Sequence, residues 1–383
     1  MHESFTSRGR ILAAIEHREP DWVPIDVGGC STTTLIGDAY ERLKRLLEVQ
    51  GETEYMKRKS LSVFLDDAVA NRLHTDTRGI MVGGPDNWKD VILDDGSFQD
   101  EFGVIWRKAE GGKYNPLGNP LRHATLADLK SYPFPDPLDA GRVRGLREQA
   151  RKLHEQTDYA VMLTMPSGFV HLSTYLRGFD SFLIDFAADH EFLEALLDRT
   201  CNFFLELTTR LVEEVDPYVD VIMYGDDLAF QNAPMVDLKR YRRFIKPRHK
   251  ALFDIIKTRS RGKVLYHCCG AVRSMIGDFI DLGVDALNPV QVSSAGMNTA
   301  ELKAEFGSQI CFWGAIDTQH VLPVGSPQDV REEVRRRIQD LAPGGGYVLA
   351  SVHNIQEDVP AENILAMVDA AREFGQYPLK AAN

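Results

Sequence analysis

The sequence predicts an α/β protein built as a (β/α)8 barrel, and three observations lead there. Eight short runs rich in Val, Ile, Tyr and Phe each stop at a Gly, a Pro or a polar residue. Helical periodicity returns between the later runs. At 383 residues the chain could hold two or three domains, but a barrel with insertions absorbs that length as one. The eight runs decide for a single barrel domain over 1–383.

The runs lie at 22–27 before Gly-Gly-Cys, 78–82 before Gly-Gly-Pro, 159–164 before Met-Pro-Ser-Gly and 219–224 before Gly-Asp-Asp. They continue at 263–266 before His-Cys-Cys-Gly, 286–287 before Asn-Pro-Val-Gln, 310–312 before Trp-Gly-Ala-Ile-Asp and 347–350 before Ser-Val-His-Asn. Helices are expected over 235–259, 272–282, 298–306 and 327–341, where apolar residues return at i+3 and i+4. A leading helix, about 7–17, precedes the first strand and closes the bottom of the barrel. From about 85 to 137 the alternation lapses. There the turn signals Asp-Asp-Gly-Ser and Glu-Gly-Gly-Lys flank 98–109, which reads as a β-hairpin inserted after the second strand. The proline-rich stretch 132–139 is a rigid connector back to the barrel. Three glycines at 344–346 precede a strand instead of opening a helix, so they form a turn and not a phosphate cradle.

Composition narrows the function classes. With 44 Lys+Arg against 56 Asp+Glu the net charge is −12, which disfavours nucleic acid and anionic membranes as partners. The cationic residues Lys239, Arg240, Arg242, Arg243, Lys246, Arg248 and Lys250 read as a solvated helix face, with a patch for an acidic partner as the minority alternative. Five cysteines, two of them adjacent, suggest reduced thiols. No run approaches the about 18 apolar residues of a membrane span, and the expected location is the cytoplasm.

Barrel enzymes place their sites at the C-terminal strand ends. Cys30, Ser167, Asp226, Asp227, His267, Cys269, Asn288, Gln291, Asp317 and His353 all fall at or just beyond such ends. In an extended segment His267 and Cys269 point to one face and Cys268 to the other, so the first two can share a metal. The third ligand is left open among His353, Asp226 and Asp227. The bland alternative makes His267 a hydrogen-bonded core histidine and both cysteines small buried apolar groups. Of the adjacent carboxylates Asp226 and Asp227, only one can face the mouth. That one is the candidate catalytic residue, orienting a ligand or moving a proton. Asn288, Gln291, Asp317, Ser167 and Cys30 are the candidate substrate-binding residues.

Several stretches together resemble the uroporphyrinogen decarboxylase superfamily, and within it the branch of cobalamin-dependent methyltransferases. They are REPDWVPID, LHTDTRGI, YLRGF, YGDDLAFQ, YHCCG, LNPVQ, FWGAIDTQ and GGGYVLASVHNIQEDVPAENI, in that order along nearly the whole chain. The resemblance implies a (β/α)8 barrel. True decarboxylases carry an arginine-rich motif after the first strand for the substrate's carboxylates. Here that place reads DVGGCSTTT, without arginine. The methyltransferase branch carries H-x-C-G, matched by His267, Cys269 and Gly270, and there the histidine and cysteine bind zinc. Its third ligand is commonly a cysteine seven residues before the proline of P-x-E-N. Counting back from Pro360 reaches His353 instead. A His/Cys/His set leaves a zinc ion more Lewis-acidic toward oxygen and less suited to a thiol.

The expected function is therefore zinc-dependent transfer of a methyl group from a methoxylated aromatic or other O-methyl donor to a corrinoid. The corrinoid would be carried by a partner protein that docks over the mouth, with the segment around 88–106 as docking surface or lid. The alternatives are decarboxylation of a smaller acid, methylcobalamin:thiol methyl transfer, and a non-catalytic binding protein. Self-association as a homodimer is left open.

Overall fold

In the computed structural model, which describes residues 5–57, 59–109 and 114–379, seven of the eight runs pair as one parallel sheet. Its strands are β1 (Thr77–Met81), β2 (Ala160–Thr164), β3 (Val221–Gly225), β4 (Lys263–His267), β5 (Ala286–Asn288), β6 (Cys311–Ile316) and β7 (Tyr347–Ser351). Sheet neighbours are chain neighbours throughout, as successive β–α units require. The strands β2, β3, β5, β6 and β7 are buried along their whole length, because helices cover the outside and side chains fill the inside.

The first run, 22–27, closes the ring without forming a regular strand. Asp26 N donates to Leu349 O and Leu349 N to Pro24 O on one side, and Asp76 N donates to Ile25 O on the other. Pro24 has no N–H to offer a ladder. The N–H groups of Ile25 and Val27 are taken by the side chains of Asp76 and Thr75, at 2.9 and 3.0 Å. The ring is thus a (β/α)8 barrel whose eighth staff is held half by side chains. Met162, Met223, Leu265, Trp313 and Val348 fill its interior, and the helix Ser7–Ile15 plugs the bottom with Ile11, Ala14 and Ile15.

The insertion is larger than the hairpin expected from the sequence. Val91–Ile92, Phe98–Gln99, Ile105–Lys108 and Tyr114–Gly118 form a four-stranded antiparallel meander following β1. The Asp-Asp-Gly-Ser signal is a turn of its own, with Gly96 at φ +77°. A second turn, missed in the sequence, is made where Asp100 accepts from the N–H groups of Phe102 and Val104. The Glu-Gly-Gly-Lys signal at 110–113 lies outside the described residues.

The expected helix over 235–259 is interrupted. Leu238–Arg240 leads into a π turn at Tyr241–Ile245, and the regular helix resumes at Lys246–Arg259 with Pro247 in its first turn. A proline with no N–H to give the preceding turn accounts for the break. The basic residues of this segment are mostly paired. Arg242 and Lys246 meet Asp278, Arg248 meets Asp198, and Arg243 meets Glu194. Among the described residues no helix is long and apolar enough to cross a membrane.

Candidate metal centre and cavity

A cavity of about 610 Å³ opens at the C-terminal ends of the strands. Its base includes Gly225 of β3, His267 of β4 and His353 just past β7. His267, Cys269 and His353 each bring one ligand atom to within 4.8 Å of the other two. His267 Nε2 lies 3.4 Å from Cys269 Sγ, and the rings of His267 and His353 are 5.4 Å apart. Ligands of one tetrahedral ion held at about 2.0–2.3 Å stand about 3.3–3.8 Å apart, so small side-chain adjustments suffice to close on a metal.

Both imidazoles are oriented from behind. His267 Nδ1 donates to Asn288 Oδ1 at 2.5 Å, and Asn288 is anchored in turn by donating to Trp313 O at 3.1 Å. His353 Nδ1 donates to Asn354 Oδ1 at 2.5 Å. A hydrogen bond to Nδ1 fixes the tautomer that presents Nε2 as ligand, the usual outer-shell arrangement of metal-binding histidines. The backbone of His353 is left-handed, at φ +80°, a conformation that histidine adopts at a cost and that turns its ring toward His267. Gly270 completes the loop. Its φ is +97°, and a Cβ there would lie 2.7 Å from the carbonyl oxygens of Ala229 and Phe230.

The two adjacent aspartates part company as strand alternation requires. Asp226 is fully buried and faces outward, accepting from Tyr224 Oη at 2.8 Å and facing His249 Nε2 at 3.1 Å. Asp227 lines the cavity and accepts the Cys269 N–H at 2.8 Å, which pins the ligand loop. Between them stands His171, on the helix Phe169–Arg177. Its Nδ1 is 3.3 Å from Asp226 and its Nε2 3.4 Å from Asp227. Burial alone would lower the His171 pKa, but Tyr175 and the two carboxylates outweigh it and hold the imidazole well above its ordinary value. Burial would raise Asp226, yet His171 and His249 bring it to about 2, and the same kind of pairing drives Asp227 lower still. Burial, and then Asp227, push the Cys269 thiol up.

The other expected site residues divide. Ser167 lines the cavity. Asn288 faces His267 and not the cavity. Gln291 accepts from Gly270 N at 2.8 Å and donates to Gln231, so it braces the ligand loop from outside. Asp317 caps its own turn, accepting from the N–H groups of Gln319 and His320. Cys30 is fully buried in the barrel interior against Met162 and Trp313, and its sulfur meets Thr32 and Thr33. Gly28, at φ +97°, and Gly29, where a Cβ would strike Met162, let the turn curl inward and carry Cys30 away from the rim. Cys268 packs on the outer side, as alternation predicts, with its sulfur accepting from Leu228 N.

Sequence reasoning missed His171, Tyr114, Tyr175 and Phe203. The three aromatic residues form a wall above His171 together with Trp88, Phe102 and Trp106, which belong to the segment 88–106 expected as docking surface or lid. A histidine on an amphipathic helix carries no signal of its own.

The family model for uroporphyrinogen decarboxylase (URO-D) matches residues 103–374, which take in most of the barrel and His267, Cys269 and His353. The chain belongs to the uroporphyrinogen decarboxylase family. Curated family members it resembles include the uroporphyrinogen decarboxylase of Actinobacillus succinogenes, 24% identical over 286 residues that cover 72% of this chain and 75% of that protein. The enzyme of the same name from Alkalilimnicola ehrlichii is 25% identical over 295 residues, covering 71% and 72%. Among solved structures, a methyltransferase from Methanosarcina mazei superposes with a TM-score of 0.68 at 22% identity, over 97% of this chain and 99% of that one. That likeness extends the family fold over nearly the full length.

Proposed function

We propose that this family member is a zinc-dependent methyltransferase, moving a methyl group from an oxygen-bound donor to the cobalt of a corrinoid carried by a separate protein. The observation that supports this reading most is the convergence of His267, Cys269 and His353 at the base of the cavity, with Asn288 and Asn354 behind the two imidazoles. Nitrogen and thiolate ligands, three from the protein with a fourth position left for substrate, suit catalytic zinc. Zinc held there would supply a Lewis acid for the donor oxygen as its methyl group departs.

The chain's own residues have distinct tasks in this scheme. Asn288 and Asn354 set the two ring orientations, Asp227 holds the Cys269 loop through its N–H, and Gln291 holds Gly270. His171 and Asp227 form a charged pair on the cavity wall that can hold a proton beside the reacting oxygen. The aromatic wall would cover one side of the site, and the open mouth would be the side on which a corrinoid could approach.

The sequence similarity to decarboxylases favours a second reading, release of carbon dioxide from an acid. The cavity argues against a polycarboxylate such as uroporphyrinogen. Arg142 is the one arginine among its described lining residues, and both of its terminal nitrogens are bound to Glu101.

Metal analysis and a corrinoid assay test the choice. The purified chain is expected to hold about one zinc, which Cys269→Ala loses. With cobalt(I) cobalamin and a panel of methyl ethers, the absorption of methylcobalamin is expected to appear, and to fall by about 10³-fold or more in that variant. A metal-free chain that turns over at full rate, or carbon dioxide release with no methylcobalamin from any donor, would sink the methyl-transfer reading.

A further inference from the structure

The walls of the cavity show what sort of donor it admits. Rings rise in contact from the carboxylates beside the ligand cluster to the inserted sheet. His171 stacks with Tyr175 at 5.9 Å, and Tyr175 meets Trp106 edge to face at 5.0 Å. Alongside, Phe102 meets Phe203 at 5.1 Å, and Phe203 meets Phe204 at 5.5 Å. Phe102 and Trp106 belong to the insertion; Tyr175 and Phe203 stand on the helices Phe169–Arg177 and His190–Val215.

The charged groups among these rings already have partners. Lys59 Nζ lies 2.7 Å from Asp100, whose carboxylate also accepts the Trp106 indole N–H at 2.7 Å. Arg142 is bound to Glu101, and His171 faces Asp226 and Asp227. Among the described lining residues, therefore, each cation has its carboxylate. Along the aromatic wall, away from the metal position, a substrate carboxylate would have to displace Asp100, Glu101 or Asp227 from its described partner or stay unpaired. At Trp106, one of the two tryptophans on the wall, a quaternary ammonium meets a cation already in place, with Lys59 Nζ 3.9 Å from the ring centroid. A flat neutral ring meets neither obstacle and gains offset or edge contacts with the wall.

We infer that the inserted sheet is the specificity element of this enzyme, selecting a flat, uncharged aromatic methyl ether and rejecting carboxylated and quaternary-ammonium analogues of similar size. The inference rests on the methyl-transfer reading and adds which donor is read and by which residues. Trp106 and Phe102 grip the ring, and the Lys59–Asp100 pair keeps both kinds of charge out.

Calorimetric titration of the full, zinc-loaded chain without corrinoid tests this, using 1,2-dimethoxybenzene, 3,4-dimethoxybenzoate and phenyltrimethylammonium. Dimethoxybenzene is expected to bind at least about tenfold tighter than either ion. Trp106→Ala weakens it by about tenfold, and Trp106→Phe by much less. Lys59→Met uncovers the Trp106 face above Asp100, so phenyltrimethylammonium binding rises by about tenfold. Where Trp106→Ala does not fold, the three-ligand comparison on the unchanged chain and the Lys59→Met result decide. Benzoate or ammonium binding as tightly as the neutral ether overturns the inference, as does the absence of binding by any of the three. Binding of the neutral ring with no methyl transfer to cobalt overturns the methyl-transfer reading alone. Methyl transfer from a non-aromatic ether with no aromatic binding overturns only the inference made here.

Discussion

The barrel and the inserted sheet meet at one cavity but are built to different tolerances. Most of the barrel strands are buried on both faces, and their ends hold His267, Cys269 and His353 through backbone positions that admit little change. The insertion is made of strands of two to five residues with exposed apolar side chains such as Val91, Ile92 and Leu117, and it touches the cavity through the rings of Trp88, Phe102, Trp106 and Tyr114 and through polar residues such as Asp100 and Glu101. On the proposed reading the barrel would have to hold a metal, which needs fixed donors, and the insertion would have to recognise a flat ring, which needs area that several side-chain arrangements can supply.

Two glycine substitutions probe that difference directly and carry the largest expected effect. In β6, Gly314 has φ +131°, and a Cβ would lie 1.9 Å from the carbonyl oxygen of Pro289, so Gly314→Ala must move a strand end beside Asn288. Gly96 in the insertion has φ +77° but open space around its Cβ position. Gly314→Ala is expected to cost about 3–4 kcal/mol, from strain and overpacking together, and Gly96→Ala about 1 kcal/mol from backbone conformation alone. Chemical denaturation of the two variants measures both. Equal losses would mean that the insertion is as tightly specified as the barrel.

The second contrast separates metal holding from donor holding. Asn288→Ala removes the acceptor that orients His267 while leaving the cavity lining untouched, so metal affinity should fall by about 10–100-fold. Affinity for a neutral aromatic, measured on chain saturated with metal, should stay within about twofold. Trp106→Ala should do the reverse. Competition with a chromophoric chelator reads the first quantity and calorimetry the second. Asn288→Ala with unchanged metal affinity would reduce that amide to a strand-end anchor for Trp313.

These contrasts also explain what could be read from the sequence. The barrel was legible because each strand is an apolar run that ends abruptly, and the H-x-C spacing places His267 and Cys269 on one face whatever surrounds them. Even so, 22–27 is not a regular strand, because Pro24 and the side chains of Thr75 and Asp76 replace part of its ladder. Whether Asp226 or Asp227 faces inward depends on the phase of β3, which the residues do not reveal; the hydrogen bond from Cys269 N to Asp227 identifies the inward one. Asn288, Gln291 and Asp317 lie at the rim as expected, yet each satisfies a neighbour in the protein, since amides and carboxylates at strand ends look alike whether they serve a ligand or a loop. His171 and the aromatic wall depend on contacts between segments more than 50 residues apart, such as His171 with Asp227 and Trp106 with Tyr175, which no local pattern reports.

The smallest expected effect concerns how the barrel's helices are clamped, where charge replaces the apolar contacts that hold the strands. Asp278 binds Arg242 and Lys246, at 3.0 and 2.7 Å, across the π turn and the helix Lys246–Arg259. Burial would raise its carboxyl, but the two cations hold it below the ordinary carboxylate value. A depressed folded-state pKa means the unfolded chain takes up the proton first as pH falls. The clamp's contribution is therefore complete above about pH 4 and disappears as pH drops through the folded-state value. Asp278→Asn should cost no more than about 1 kcal/mol between pH 6 and 8, and the difference from the unchanged chain should shrink toward zero on acidification. Urea denaturation across that range follows it. A gap that widens toward low pH would show that Asp278 acts through something other than its charge, and the π turn would then owe its position to the packing of Tyr241, Phe244 and Ile245 alone.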